Sequence, residues 1–163
     1  MEKITAIYFD MDGTIADLYG SPQWLVDLEA HNPRPYAIAK PMHHMSSLAR
    51  QINTLAANGV NMGIISWLSK TGTPQFNTAV TEIKRKWLKT HLASVCFNDI
   101  AIIEYGIPKS TANTQTEGIC ILFDDEEKNR IEWENARPNN LAFAPNEINK
   151  VLKNILKNFS KTP

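Results

Sequence analysis

The sequence predicts an α/β protein of three layers, Rossmann-like, with a central parallel sheet of about five strands between helices. Three observations carry this. Short apolar runs at 4–9, 60–65 and 119–123 have strand length and β-favouring composition. Segments with helical spacing alternate with them, the pattern of a parallel sheet covered on both faces. Two of the runs end in acids, Asp10 and Asp124-Asp125, at the strand ends where such sheets place their chemistry.

The run at 4–9 reads as a strand buried on both faces. Residues 17–45 hold Pro22, Pro33, Pro35 and Pro41 with several aromatics. That proline density predicts an irregular excursion with one short helix around 23–29. From Ser46 the spacing of Leu48, Ile52 and Leu55 predicts a helix that Gly59 ends. A strand over 60–65 follows, then a loop with Gly72 and Pro74. A helix over 78–92 is expected to turn Val80, Ile83, Trp87 and Leu88 inward and Lys84, Arg85 and Lys86 outward. Runs 94–97 and 100–103 are both strand-like, and the sheet needs one of them. A strand over 119–123, a helix over 126–136, a strand over 141–144 and an amphipathic helix over 146–159 complete the chain. All of 1–163 reads as one domain.

Hydrophobic residues make up 43% and charged residues 21%, ordinary for a globular chain, so a core needs no disulfide help. Lys+Arg and Asp+Glu both number 17, so the zero net charge gives no general electrostatic reason to expect nucleic acid or an anionic membrane as partner, and no clear nucleic-acid surface. No apolar stretch approaches a membrane span, and the N-terminus lacks the features of a signal peptide. The expectation is a cytoplasmic protein with Cys96 and Cys120 as reduced core thiols.

In a parallel sheet, the ends of the strands converge however far apart they lie in the chain. The first gives Asp10-Met11-Asp12-Gly13-Thr14, the second Ser66, a third region Lys109, and the fourth Asp124-Asp125. Carboxylates brought together repel unless some stay protonated or a cation intervenes. A hard cation with oxygen ligands resolves the conflict, and Mg²⁺ suits a site with few carboxylates. Such a site also invites phosphate. Lys109 and the Ser66 hydroxyl can hold phosphate oxygens, and Gly13 lets the backbone of Gly13 and Thr14 pass close to them. Lys70 is the alternative to Lys109. Asp10 can then attack phosphorus, while Asp12 protonates the leaving oxygen and later deprotonates water.

These motifs resemble the haloacid dehalogenase superfamily in its phosphatase branch. Tyr8-Phe9-Asp10-Met11-Asp12-Gly13-Thr14, Gly63-Ile64-Ile65-Ser66, Lys109 and Ile121-Leu122-Phe123-Asp124-Asp125 stand in the family's order. The resemblance implies that Asp10 is nucleophile and Mg²⁺ ligand, and that Asp12 is the acid/base with its backbone carbonyl on the metal. It implies that Ser66 and Lys109 bind phosphate and that Asp124 ligates Mg²⁺, with Asp125 joining or supporting the metal shell. Family members that cleave carbon–halogen bonds lack an acid at the position of Asp12, so its presence implies phosphoryl transfer.

The excursion at 17–45 is too short for the family's full cap domain, and too few residues separate Lys109 from Asp124 for another. A small cap and a fairly open site are expected. The form Asp10-Met11-Asp12-Gly13-Thr14-Ile15-Ala16-Asp17 with Asp124-Asp125 is similar to the deoxyribonucleotidases, although Ser66 and the short cap depart from them. A nucleoside monophosphate is therefore the favoured substrate, with the excursion's aromatics available to a base. Another small phosphate ester or a phosphorylated macromolecule is the alternative. A non-catalytic phosphate-binding module or a receiver-like domain stands as the competing class. Asp17 reads as a local turn residue, His43-His44 as loop histidines, and Trp24, Tyr36 and Trp67 as residues of the pocket mouth or of local packing.

Overall fold

A computed structural model describes residues 3–159. Strand β1 (Ile4–Phe9) leads into a two-residue strand β2 (Ala16–Asp17), helices α1 (Trp24–Glu29) and α2 (Arg34–Ile38), and a matching strand β3 (Lys40–Pro41). Then come α3 (Met45–Ala57), β4 (Asn61–Trp67), α4 (Pro74–His91), β5 (Asp99–Ile103), β6 (Ile119–Phe123), α5 (Glu127–Ala136), β7 (Asn140–Phe143) and α6 (Ile148–Phe159). Short 3₁₀ turns occupy Lys109–Ala112 and Pro145–Glu147.

The main sheet has five strands in the order β5-β4-β1-β6-β7, every neighbouring pair parallel. From β1 the chain builds outward to β4 and β5, then returns to the other side of β1 for β6 and β7. That reversal opens a crevice at the carboxyl end of β1, the place where such sheets bind ligands.

Both faces of the sheet are buried because alternate residues serve different cores. Ile7, Phe9, Met62, Ile64, Ile121 and Phe123 pack with Leu48, Ile52, Leu55, Trp87, Leu88, Leu152 and Ile155 from α3, α4 and α6. Ala6, Tyr8, Ile65, Cys120 and Leu122 face the other way, onto Trp133 of α5. Trp133 meets Tyr8 edge to face at 5.6 Å and donates its indole N–H to the Cys120 carbonyl at 3.2 Å. Burial of each such large side chain is worth about 1.5–3 kcal/mol.

Several expectations are corrected. The excursion holds two short helices, closed at its base by the antiparallel β2–β3 pair. Pro35 sits in the first turn of α2 instead of breaking structure, since a helix's first turn has no use for the proline's missing N–H. Pro74 likewise opens α4, four residues earlier than expected, behind Thr73, whose hydroxyl accepts the Phe76 N–H at 3.2 Å. Of the two strand-like runs, only 99–103 joins the sheet; Val95 and Phe97 are plugs against the core. Cys120 is buried as expected, but Cys96 is exposed. Lys84, expected outside, is 1% exposed. It follows Val80 by four residues and precedes Trp87 by three, which puts it on the buried stripe of α4.

Candidate active site

Asp10 directly follows β1, and its N–H donates to the Phe123 carbonyl at 2.9 Å, so the ladder with β6 runs on to the acid itself. The chain then reverses. The N–H groups of Thr14, Ile15 and Ala16 all converge on the Met11 carbonyl, at 3.1, 3.0 and 2.9 Å. The turn needs Gly13, at φ 76°, where a Cβ would also strike the Asp125 carboxylate and the Tyr19 ring. Buried Thr14 braces the result: its hydroxyl donates to Asp10 Oδ2 at 3.2 Å and accepts the Asp125 N–H at 3.2 Å.

Asp124 directly follows β6 and is fully buried. Its carboxylate accepts the Glu126 N–H at 2.9 Å and the Asn129 amide at 3.2 and 3.3 Å. Arg130 donates to the carbonyls of Asp124 and Asp125 at 2.8 and 2.9 Å, fixing the loop from behind.

Lys109 sits on the 3₁₀ turn between β5 and β6, which Ser110 anchors to Glu132 of α5. Its ammonium lies 2.7 Å from Asp10 Oδ1 and 2.6 Å from Asp124 Oδ2. Burial pulls the Lys109 pKa down, but the two carboxylates outweigh it and the net displacement is upward. Lys70, the alternative phosphate lysine, instead reaches the cleft mouth, 6.0 Å from the Tyr105 ring centre.

Asp10, Asp124 and Asp125 each offer an oxygen within 4.8 Å of the others. Burial, then the charges of Asp10 and Asp124, push Asp125 up to about 7. Asp124 is also raised, by burial and Asp10 against the pull of Lys109. This crowding of all-oxygen donors fits a hard divalent cation, which would relieve it. The Asp12 side chain stands apart from this cluster. It lines the cleft, and burial raises its pKa against the opposing charge of Lys84.

The cleft encloses about 420 Å³ and is lined by Asp10, Asp12, Lys109, Asp124 and Asp125 at its base. Tyr19, Trp24 and Tyr36 come from the excursion, Trp67 ends β4 and Tyr105 follows β5. The aromatics singled out in the sequence therefore do line the mouth. Ser66, by contrast, is inside β4 and fully buried, and its hydroxyl accepts from Lys84 at 2.8 Å. Gly13 and Thr14 shape the base from below without lining it. Asp17 caps a local turn, accepting the Gly20 N–H at 2.9 Å. His43 is more than a loop residue: its Nε2 lies 2.7 Å from the Thr14 carbonyl and ties the excursion to the Asp10 turn.

No family model matches the sequence. No curated protein matches it either. Among solved structures, the D,D-heptose 1,7-bisphosphate phosphatase from Burkholderia thailandensis is similar, with a TM-score of 0.49 and 13% identity over 78% of this chain and 70% of that one. Among the described residues, no helix is long and apolar enough to cross a membrane.

Proposed function

We propose that the chain is a Mg²⁺-dependent phosphomonoesterase of the haloacid dehalogenase type, with the excursion as a rudimentary cap. One observation carries the reading. Lys109 bridges Asp10 and Asp124, and Asp125 completes a three-carboxylate cluster at the crevice of a parallel sheet. Each of these residues was expected there from the sequence motifs.

Under this reading Asp10 attacks phosphorus and takes the phosphoryl group as an aspartyl phosphate. The bond to the leaving oxygen breaks, and that oxygen takes a proton from Asp12. Asp12 then removes a proton from the water that hydrolyses the aspartyl phosphate, which restores both acids. Lys109 offsets charge on the transferring group, while the N–H groups of Gly13 and Thr14 are spent on the Ala16 and Met11 carbonyls and hold the turn instead. The Ser66 hydroxyl, expected from the sequence to hold phosphate, is buried inside β4 and accepts from Lys84, so its part under this reading is to help hold that lysine. Asp10, Asp124, Asp125 and the Asp12 carbonyl would hold Mg²⁺, which when bound supplies positive charge to offset the carboxylates and phosphate.

The size of the cleft favours a small ester over a macromolecule, and its aromatic walls favour a planar group such as a nucleobase. The deciding experiment measures phosphate release from p-nitrophenyl phosphate and a panel of nucleoside and sugar monophosphates with Mg²⁺. Release that Asp10→Asn abolishes supports the enzyme. Tight phosphate binding without release across the panel would make the chain a binding module instead.

A further inference from the structure

Lys84 is the second buried lysine of this site, and the chemistry above assigns it no role beyond its neighbours. It projects from the middle of α4, between Val80 and Leu88, and its side chain is 1% exposed. Its ammonium has three protons, and three oxygens take them. Asp12 Oδ2 lies at 2.6 Å, the Trp67 carbonyl at 2.7 Å and the Ser66 hydroxyl at 2.8 Å. The Tyr36 ring covers it at 5.0 Å. A lysine with every donor engaged and no access to the cleft does not bind substrate. What it does is join the turn after β1 to the end of β4.

We infer that Lys84 is the positioning residue of the proton-transfer step: it pins Asp12 by Oδ2 so that Oδ1 is the oxygen that gives and takes the proton. This rests on the phosphatase reading. The argument is geometric. Asp12 lines the cleft on a turn, where an unrestrained carboxylate rotates freely about χ1 and χ2. A charge-assisted bond at 2.6 Å from a lysine packed into a helix removes that freedom. Among the described residues, Lys84 supplies the one protein hydrogen bond to the Asp12 carboxylate, through Oδ2. The same ammonium fixes the direction of the Ser66 hydroxyl. In the transfer itself the phosphorus–oxygen bond breaks, its electron pair stays on the leaving oxygen, and the proton on Asp12 Oδ1 goes to that oxygen.

The role predicts a leaving-group signature that loss of packing alone does not give. An alkoxide needs its proton as it leaves; p-nitrophenolate does not. Lys84→Met, Lys84→Gln and Asp12→Asn are each assayed for kcat/KM on p-nitrophenyl phosphate and glycerol 2-phosphate. Asp12→Asn and the Lys84 variants are expected to lose at least about tenfold more on the alkyl ester than on the aryl ester, a fraction of the usual weight of acid–base help. If Lys84→Met does not fold, Lys84→Gln, which keeps donors for Trp67 and Ser66, carries the test. Equal losses on both esters in the Lys84 variants, with the selective loss kept in Asp12→Asn, would overturn the role of Lys84 alone. Absence of the selective loss in Asp12→Asn would instead overturn Asp12 as the proton donor. A wild-type chain inert on both esters and on the nucleoside and sugar monophosphates alike would overturn the phosphatase reading and this inference with it.

Discussion

Lys109 Nζ lies 2.7 Å from Asp10 Oδ1, although 99 positions separate the two residues in the chain. The contact joins the end of β1 to the turn before β6, and the same ammonium reaches Asp124 at 2.6 Å. All three side chains are buried. Removing one partner of such a cluster leaves charge without compensation. Lys109→Met should therefore cost the metal-free protein about 3–5 kcal/mol, the range for breaking a buried ion pair. A chemical denaturation series checks this. Added Mg²⁺ should recover part of the loss, because a cation can replace the missing charge, and a loss that Mg²⁺ does not touch would argue against a shared metal and lysine site.

The crowded carboxylates give a pH dependence of definite sign. Asp125 is pushed up to about 7 by burial and its acidic neighbours, above its ordinary value of 3.8. Between those values the folded state binds more protons than the unfolded state. Stability of the metal-free protein should then fall as pH rises from about 4 to about 7, and level off above. Mg²⁺ competes with those protons, so its stabilising effect should grow over the same range. Thermal melts at pH 5 and pH 8, with EDTA or with excess Mg²⁺, check both. A Mg²⁺ shift in Tm of equal size at the two pH values would count against these acids as ligands.

Most of this arrangement was legible in the sequence because it depends on where strands end. Apolar runs ending in Asp10 and Asp124 placed both acids at one sheet edge, and the parallel order of β4, β1 and β6 puts them there. The excursion was less legible. Its prolines read as breakers, yet Pro35 sits in the first helical turn, where the same residue is favourable. Lys84 was misplaced because a charged side chain beside Arg85 and Lys86 reads as solvated face. Its spacing from Val80 and Trp87 was the available signal, but burial of a lysine requires partners that a single sequence does not reveal. His43 was missed for the same reason: its partner is a backbone carbonyl at Thr14, which carries no side-chain signature.

Gly13 supports a sharper test of the turn. At φ 76° a side chain is strained by about 1–3 kcal/mol. The added Cβ would also run into the Asp125 carboxylate. Gly13→Ala should thus displace Asp125 and weaken Mg²⁺ binding along with stability. Isothermal titration of Mg²⁺ measures the first and denaturation the second. Unchanged Mg²⁺ affinity in a destabilised variant would separate Asp125 from the metal.

The substrate preference can be tested on the aromatic wall opposite the excursion. Tyr105 and Trp67 stand with ring centres 4.9 Å apart, tilted by 54°, and both line the cleft. The Trp67 indole is fixed by donating to the Ile107 carbonyl at 2.8 Å, whereas Tyr105 is 40% exposed and makes the safer substitution. If a nucleobase lies against this pair, Tyr105→Ala removes stacking worth about 1–3 kcal/mol per base, so KM for a nucleoside monophosphate should rise roughly tenfold. KM for glycerol 2-phosphate, which has no ring to stack, should stay near the wild-type value. The contrast separates the two effects, because a general disturbance of the Asp10 turn would raise both constants together. Equal KM values for the nucleotide in wild type and variant would remove the base from this wall and leave the smaller phosphate esters as the substrate class.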